Sequence, residues 1–300
     1  GQAAERLSLI SGICNDRGRI AARSGVGAVM GSKRLKAVVL AGTKPIKCHD
    51  ANAVKRISKE YSDKVRKQNF PGLVKGNLLP IMGKVMGSQK NVSANDGMMA
   101  VSIFKKWGTS VANGMSVTMG DTPIKNWAGS VVDYNKSYYK RINPDMIIKR
   151  EYRKYHCYSC VVGCGGVCGI SDIRGGRYSY THKPEYETCA SFGSLLMIRD
   201  LDAILYINEI MNRAGMDTIS AGHAVAFAIE CYEKGIITKK DTDGLELTWG
   251  NAEAVIKLLE KMIAREGIGD ILADGVRAAA RKIGNGSENY AMLVGGQEPG

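Results

Sequence analysis

Cys157, Cys160, Cys164 and Cys168 place four of the chain's eight cysteines within twelve residues. Intervals of three and four positions let several sulfurs converge on one point without unwinding much chain. Iron–sulfur clusters and structural zinc both use thiolates gathered in this way. Gly163, Gly165 and Gly166 allow the close backbone approach that a ligand loop needs. Two disulfides are the competing reading, but disulfide frameworks belong mainly to short secreted domains, and this chain is long enough to bury a full core. The C-x2-C-x3-C run is not the bacterial ferredoxin pattern. Either Cys168 closes the set, or the fourth ligand comes from far away, even from outside this chain. The spacing points to metal binding and leaves the metal's identity open.

Three other stretches carry groups with chemical potential. In Pro184-Glu185-Tyr186-Glu187 two carboxylates sit two apart, so in an extended segment both face one side. One of them, buried beside a metal or substrate, would serve as general acid or base. A salt-bridged turn is the plainer reading, and the residues alone favour it. The stretch Arg19 to Lys33 has glycines at 25, 27 and 31 with arginines on the near side, which suits backbone N–H groups laid against phosphate. It is not a dinucleotide fingerprint, because the strand reading, Leu35 to Ala41, follows the glycines instead of preceding them. A packed glycine turn fits equally well. The corner Asn212 to Asp217 lies between two apolar helices and offers N–H groups and a carboxylate to a polar ligand, or else simply caps them. His223 and Trp127 read as core residues.

The elements that must position these groups follow from periodicity. Helices are expected over 50–67, 145–154, 201–214, 217–235, 251–266 and 269–283, the third capped by Asp200 and ended by Gly215. Asn15 to Gly18 has the residue types of a turn. Residues 69–129 carry little periodicity and read as short helices and long loops, and residues 43–48 as a domain boundary.

Composition bounds the rest. With 300 residues, 44% of them hydrophobic, the chain has room for about two domains, and no apolar run approaches bilayer length. Neither a secretory leader at Gly1 nor a natural tail at Gly300 is evident, so a fragment is expected. The net charge of +13 is uneven: residues 1–150 hold 26 Lys and Arg against 9 acids, and residues 151–300 hold 16 against 20. The basic half calls for an anionic ligand or partner. No nucleic-acid motif accompanies it, so nucleic acid is not expected. A phosphate-bearing cofactor, an anionic substrate or an acidic electron carrier fits.

Taken together, the Arg19–Lys36 stretch, Cys157/Cys160/Cys164, Pro184–Thr188, Gly215–Ser220 and Gly267–Gly275 resemble the tungsten-containing aldehyde ferredoxin oxidoreductase family along most of the chain. The resemblance implies a mainly α fold with a short β-containing N-terminal part: 1–46 as the C-terminal end of a β-rich pterin-binding domain, 47–290 as a helical domain carrying the cysteines, and 291–300 as the start of a truncated third domain. It implies a tungsten or molybdenum bis-pyranopterin and a [4Fe–4S] cluster. Cys157, Cys160 and Cys164 would be three cluster ligands, the fourth being a distant cysteine beyond Gly300. Arg23, Gly25, Gly27, Asn212, Gly215 and Asp217 would contact pterin, and Glu187 would give acid–base help. The implied activity is oxidation of an aldehyde to a carboxylic acid, with electrons passing to ferredoxin or another iron–sulfur subunit. An oligomeric, cytoplasmic, oxygen-sensitive protein without a transmembrane segment is implied too. Asn212 departs from the family's aspartate. Cys189, directly after Glu187-Thr188, is a candidate tungsten ligand, which would suit the related branch that reduces the aromatic ring of benzoyl-coenzyme A. A non-catalytic zinc or iron–sulfur module is the remaining alternative.

Overall fold

A computed structural model describes residues 1–16, 18–88, 97–134 and 136–300. In chain order the elements are α1 (Gln2–Glu5), β1 (Ile13–Asn15), β2 (Arg19–Ala21), α2 (Val26–Ser32), α3 (Ala51–Lys67), α4 (Leu79–Ser88), α5 (Met98–Trp107), α6 (Ala112–Met119), α7 (Lys136–Ile142), α8 (Pro144–Arg150), β3 (Glu151–Tyr155), β4 (Gly165–Gly169), β5 (Tyr180–His182), α9 (Tyr186–Cys189), α10 (Leu201–Ala214), α11 (Thr218–Glu233), α12 (Ala252–Ala264), α13 (Ile268–Leu272) and α14 (Val276–Ile283). The fold is mainly α, with a two-stranded ribbon β1–β2 and a three-stranded antiparallel sheet in the order β3-β4-β5. Among the described residues no helix is long and apolar enough to cross a membrane.

The main core is built around α10 and α11. Every residue of α11 from Ser220 to Cys231 is buried, as befits a helix surrounded by others. Asp200 accepts from the Asp202 and Ala203 N–H groups to cap α10, and Gly215 closes it in the left-handed conformation at φ +69. Asp217 then caps α11 through the Ile219 and Ser220 N–H groups. The N-terminal segment is pinned on this corner: Asp217 N–H donates to Ile10 O and Gly12 N–H to Gly215 O, each at 2.8 Å.

A smaller core, Leu79, Ile103, Trp107 and Val111 with Phe70 against it, serves the basic half. Asp145 ties it to α8, accepting from Trp107 Nε1 at 2.8 Å and from Gly76 N–H at 2.6 Å. Short helices cover 76–88 and 98–119, with loops over 69–75 and 120–129; residues 89–96 of that stretch, and Arg17 of the expected 15–18 turn, lie outside the described residues.

Three expectations are corrected. Residues 35–41 form no strand, and Val39 and Leu40 are each 89% exposed. β-Branched composition makes a strand only where a neighbour supplies ladder bonds and a face to pack on. The helix expected over 145–154 ends at Arg150, because 151–155 pair with β4 instead. The helix expected over 269–283 is broken at Gly275, whose φ of +85 lets the chain turn between α13 and α14.

Candidate functional site

The cysteine run is the tip of a hairpin. β3 and β4 pair antiparallel with Tyr155 opposite Gly165, so residues 156–164 form the closing loop. Cys160 N–H donates to Cys157 O at 3.0 Å, and the loop bends through positive φ at Ser159 and Gly163. Cys157 is exposed, and Cys160 and Cys164 are half-buried. Burial, and after it the Glu185 carboxylate, pushes the Cys164 thiol up; Arg19 opposes this, and the charges of Cys160 and Cys157 also reach it. The three thiols therefore share one field. No three His, Cys, Asp or Glu side chains among the described residues converge tightly enough to hold a single ion.

Cys168 is elsewhere. It lies on β4, wholly buried in the main core, with its Sγ 3.9 Å from Ile147 O, and burial pushes its thiol up to about 12. Cys189 is likewise inside the core, its thiol raised to about 12 by burial and approached by Asn113. It follows Glu187 by two positions on α9, so the two side chains leave the helix in divergent directions.

The same geometry separates the two carboxylates. Glu185 precedes α9 and Glu187 lies in its first turn, so they do not share a side as an extended segment would have them. Glu185 takes Arg19 Nη1 at 2.6 Å and the Thr109 hydroxyl. Glu187 is half-buried and held above its ordinary value by burial, with Arg23 pulling it down and Asp217 pushing it up. Arg19 thus pairs with Glu185, while the charge of Arg23 reaches Glu187. One short stretch, β2 and the turn after it, faces the cysteine hairpin with its first arginine and the Asp217 corner with its second.

Arg23 lines a cavity of about 510 Å³ together with Asp217, Ser220, Arg277, Arg281 and Glu298. Arg23 Nε stands 3.6 Å from Asp217 Oδ2 and Nη2 donates to the Glu298 carbonyl. The buried Nε has no hydrogen-bond partner. Ser220 Oγ donates to Glu298 Oε2 at 2.8 Å and Val276 N–H to Oε1 at 2.7 Å. Gly25 and Gly27 do not face this cavity. A Cβ on Gly25 would meet Leu9 O at 2.6 Å and one on Gly27 would meet Gly12 O at 2.6 Å, so both are needed for α2 to pack on the 9–12 segment and hold Arg23 in place. Gly215 packs against Cys14 Sγ, and Asn212 is buried in the last turn of α10. His223 is a satisfied core histidine: Nδ1 bonds Ile219 O at 2.9 Å and Nε2 takes the Trp127 Nε1–H at 3.1 Å.

The sequence reading missed the Arg19–Glu185 pair, the Arg277, Arg281 and Glu298 lining, and the buried Lys183–Glu151 pair. Lys183 adjoins the Pro184–Glu187 run, and a lysine in a segment otherwise destined for burial was the available signal. Nothing local marks Glu298.

Comparison with known proteins gives a consistent picture. A family model described as aldehyde ferredoxin oxidoreductase, domains 2 & 3, matches residues 85–300. The family's N-terminal domain matches residues 1–42. The tungsten-containing aldehyde ferredoxin oxidoreductase of Pyrococcus furiosus is 34% identical over 286 residues, covering 95% of this chain and 41% of the relative. From the same organism, the aliphatic sulfonate oxidoreductase, WOR-like subunit, is 31% identical over 99% of this chain and 42% of its own length. Among solved structures, the active site complex BamBC of benzoyl coenzyme A reductase with 1,5-dienoyl-CoA aligns with a TM-score of 0.71 at 28% identity, over 99% of this chain and 41% of that one. The chain spans about two fifths of the length of the curated relatives it matches.

Proposed function

Since the chain belongs to the aldehyde ferredoxin oxidoreductase family, we propose that it forms the catalytic part of a bis-pterin oxidoreductase that converts an aldehyde and water to a carboxylic acid, two protons and two electrons. Tungsten is the proposed metal, as in the names of its relatives, with molybdenum the alternative. The observation that carries the reading is the pairing of Arg19 with Glu185 and of Arg23 with Asp217, which joins the thiol loop and the polar cavity through β2 and the turn after it.

The residues present fit both groups. The unpartnered Arg23 Nε, with Arg277 and Arg281, offers cationic N–H groups to a phosphorylated pterin. Asp217 faces Arg23 while capping α11. Cys157, Cys160 and Cys164 offer three sulfurs in one field, beside the Arg19 guanidinium. When bound, the metal cofactor supplies the two-electron chemistry and the cluster passes the electrons on singly. The protein's part is position and protons. A half-buried carboxyl raised above its ordinary value, Glu187, suits transfer of the proton released at the substrate carbon. Ferredoxin or another iron–sulfur subunit is the proposed acceptor, in the cytoplasm, for an oligomeric enzyme.

Reduction of an aromatic acyl-coenzyme A is a second reading. It is supported by the likeness to the benzoyl coenzyme A reductase complex, which covers nearly the whole chain. Purification of the full-length protein without oxygen tests both. The proposal requires tungsten or molybdenum, pterin and about four irons per chain, with aldehyde-dependent dye reduction. Activity only with an aromatic acyl-coenzyme A would select the second reading, and one zinc with no pterin would overturn both. Unchanged metal spectra in Cys189→Ser would remove thiolate ligation of the tungsten.

A further inference from the structure

Behind the cysteine loop lies an ion pair that the aldehyde chemistry does not use. Lys183 Nζ is 2.8 Å from Glu151 Oε2, and both side chains are nearly inaccessible, at 3% and 8% exposure. Neither atom has a hydrogen bond of good geometry. Burial draws the lysine below its ordinary value, with Glu151 opposing.

The pair's location is defined by two glycines, Gly166 and Gly108. A Cβ on Gly166 would overlap the Glu151 carboxylate. One on Gly108, whose φ is +71, would overlap Cys164 O and stand 3.1 Å from Lys183 Nζ. The ammonium and the Cys164 carbonyl therefore close on the same spot, which is open only because Gly108 has no side chain. A Cβ on Gly165 would overlap the Arg19 guanidinium on the hairpin. The backbone of Lys183 is fixed as well, its N–H donating to Gly166 O at 2.8 Å. Glu151 also faces Lys154 at 3.1 Å, so this one carboxylate lies between two ammonium groups and the assembly is net positive.

A buried cation costs desolvation, and a surface pair would have held the hairpin without it. What the buried position adds is a poorly screened positive charge behind the ligand Cys164. We propose that Lys183, held by Glu151, is a positioning residue that raises the reduction potential of the cluster carried by Cys157, Cys160 and Cys164. The inference rests on the cluster reading above. A fixed positive charge stabilises the cluster after it has accepted an electron.

The test is an EPR-monitored redox titration of the full-length, anaerobically purified protein. Lys183→Met, which leaves Glu151 paired with Lys154, lowers the potential, so that the reduced-to-oxidised ratio at a fixed poise falls about tenfold (59 mV for one electron). Glu151→Gln removes the opposing charge and shifts the ratio the other way. Altered packing or water entry alone would move both variants in the same direction. Potentials that stay put in both, or move together, overturn the inference. If Lys183→Met does not accumulate, the sign of the Glu151→Gln shift decides. Absence of a cluster in the unsubstituted protein would instead remove the functional reading itself.

Discussion

The Asp217 corner and the cysteine hairpin are joined by β2, yet they are held in opposite ways. The corner is built from backbone bonds, Asp217 N–H to Ile10 O and Gly12 N–H to Gly215 O, and its carboxylate is already occupied in capping α11. The hairpin loop is held by charged side chains, Arg19 with Glu185 and Lys183 with Glu151, and several of their polar atoms lack partners. The corner's backbone bonds are satisfied before any ligand arrives and leave Arg23 Nε as its open donor, whereas the hairpin's thiols are surrounded by charged side chains. Substitutions in the corner should therefore be read as stability, and substitutions in the hairpin as cofactor content.

The largest contrast comes from Cys160→Ser. Cys160 is half-buried and belongs to no core cluster, so far-ultraviolet circular dichroism and melting of the cofactor-free protein are expected to match the unsubstituted chain. Iron content and cluster absorbance in the anaerobic preparation fall to near background. A variant that keeps its iron would break the assignment of the loop.

Gly27→Ala is the matching test in the other region. Its new Cβ would press on the Gly12 backbone at 2.6 and 2.8 Å, and overpacking against a backbone that cannot yield costs about 1–3 kcal/mol. The gain of about 1 kcal/mol in helix propensity offsets part of it. Loss of thermal stability without any cofactor is the expected result. If stability is kept and only pterin content falls, Gly27 touches the cofactor after all. Asp217→Ala follows at about 1 kcal/mol for a lost helix cap. Asp217→Asn keeps the cap and isolates the charge opposite Arg23, so a large loss of stability in the asparagine variant would show that the cap is not what the carboxylate does.

The same contrast explains what could be read from the sequence. Helices α10 and α11 were legible down to their caps, because Asp200, Gly215 and Asp217 act on residues two to four positions away. The C-x2-C-x3-C spacing is local in the same sense. What escaped depends on distant partners. The 151–155 segment turned from helix to strand because β4 lies beside it. Residues 35–41 have strand composition and no neighbouring strand. Glu151 and Lys183 are 32 positions apart and meet only because β3 and the end of β5 flank β4. The Glu185/Glu187 expectation failed for a reason within the stretch itself: Glu185 is the last extended residue and Glu187 already helical.

The smallest effect, and the one that tests the bridge between the regions, is a pH dependence at Glu187. Burial holds this carboxyl above its ordinary 4.5, with Arg23 only partly offsetting it. The folded protein therefore binds its proton more tightly than the unfolded chain does. The resulting stability is fully present below the ordinary value and is lost as pH rises through the folded one. Glu187→Gln cannot ionise and escapes that loss. Relative to the unsubstituted protein, the variant should melt higher at about pH 8 than it does at about pH 4. Thermal melts of the cofactor-free protein across that range measure the difference. A difference of the opposite sign would mean that Arg23 outweighs burial, making Glu187 an ordinary ion-pair partner, as Glu185 is for Arg19, and removing it as the proposed proton carrier.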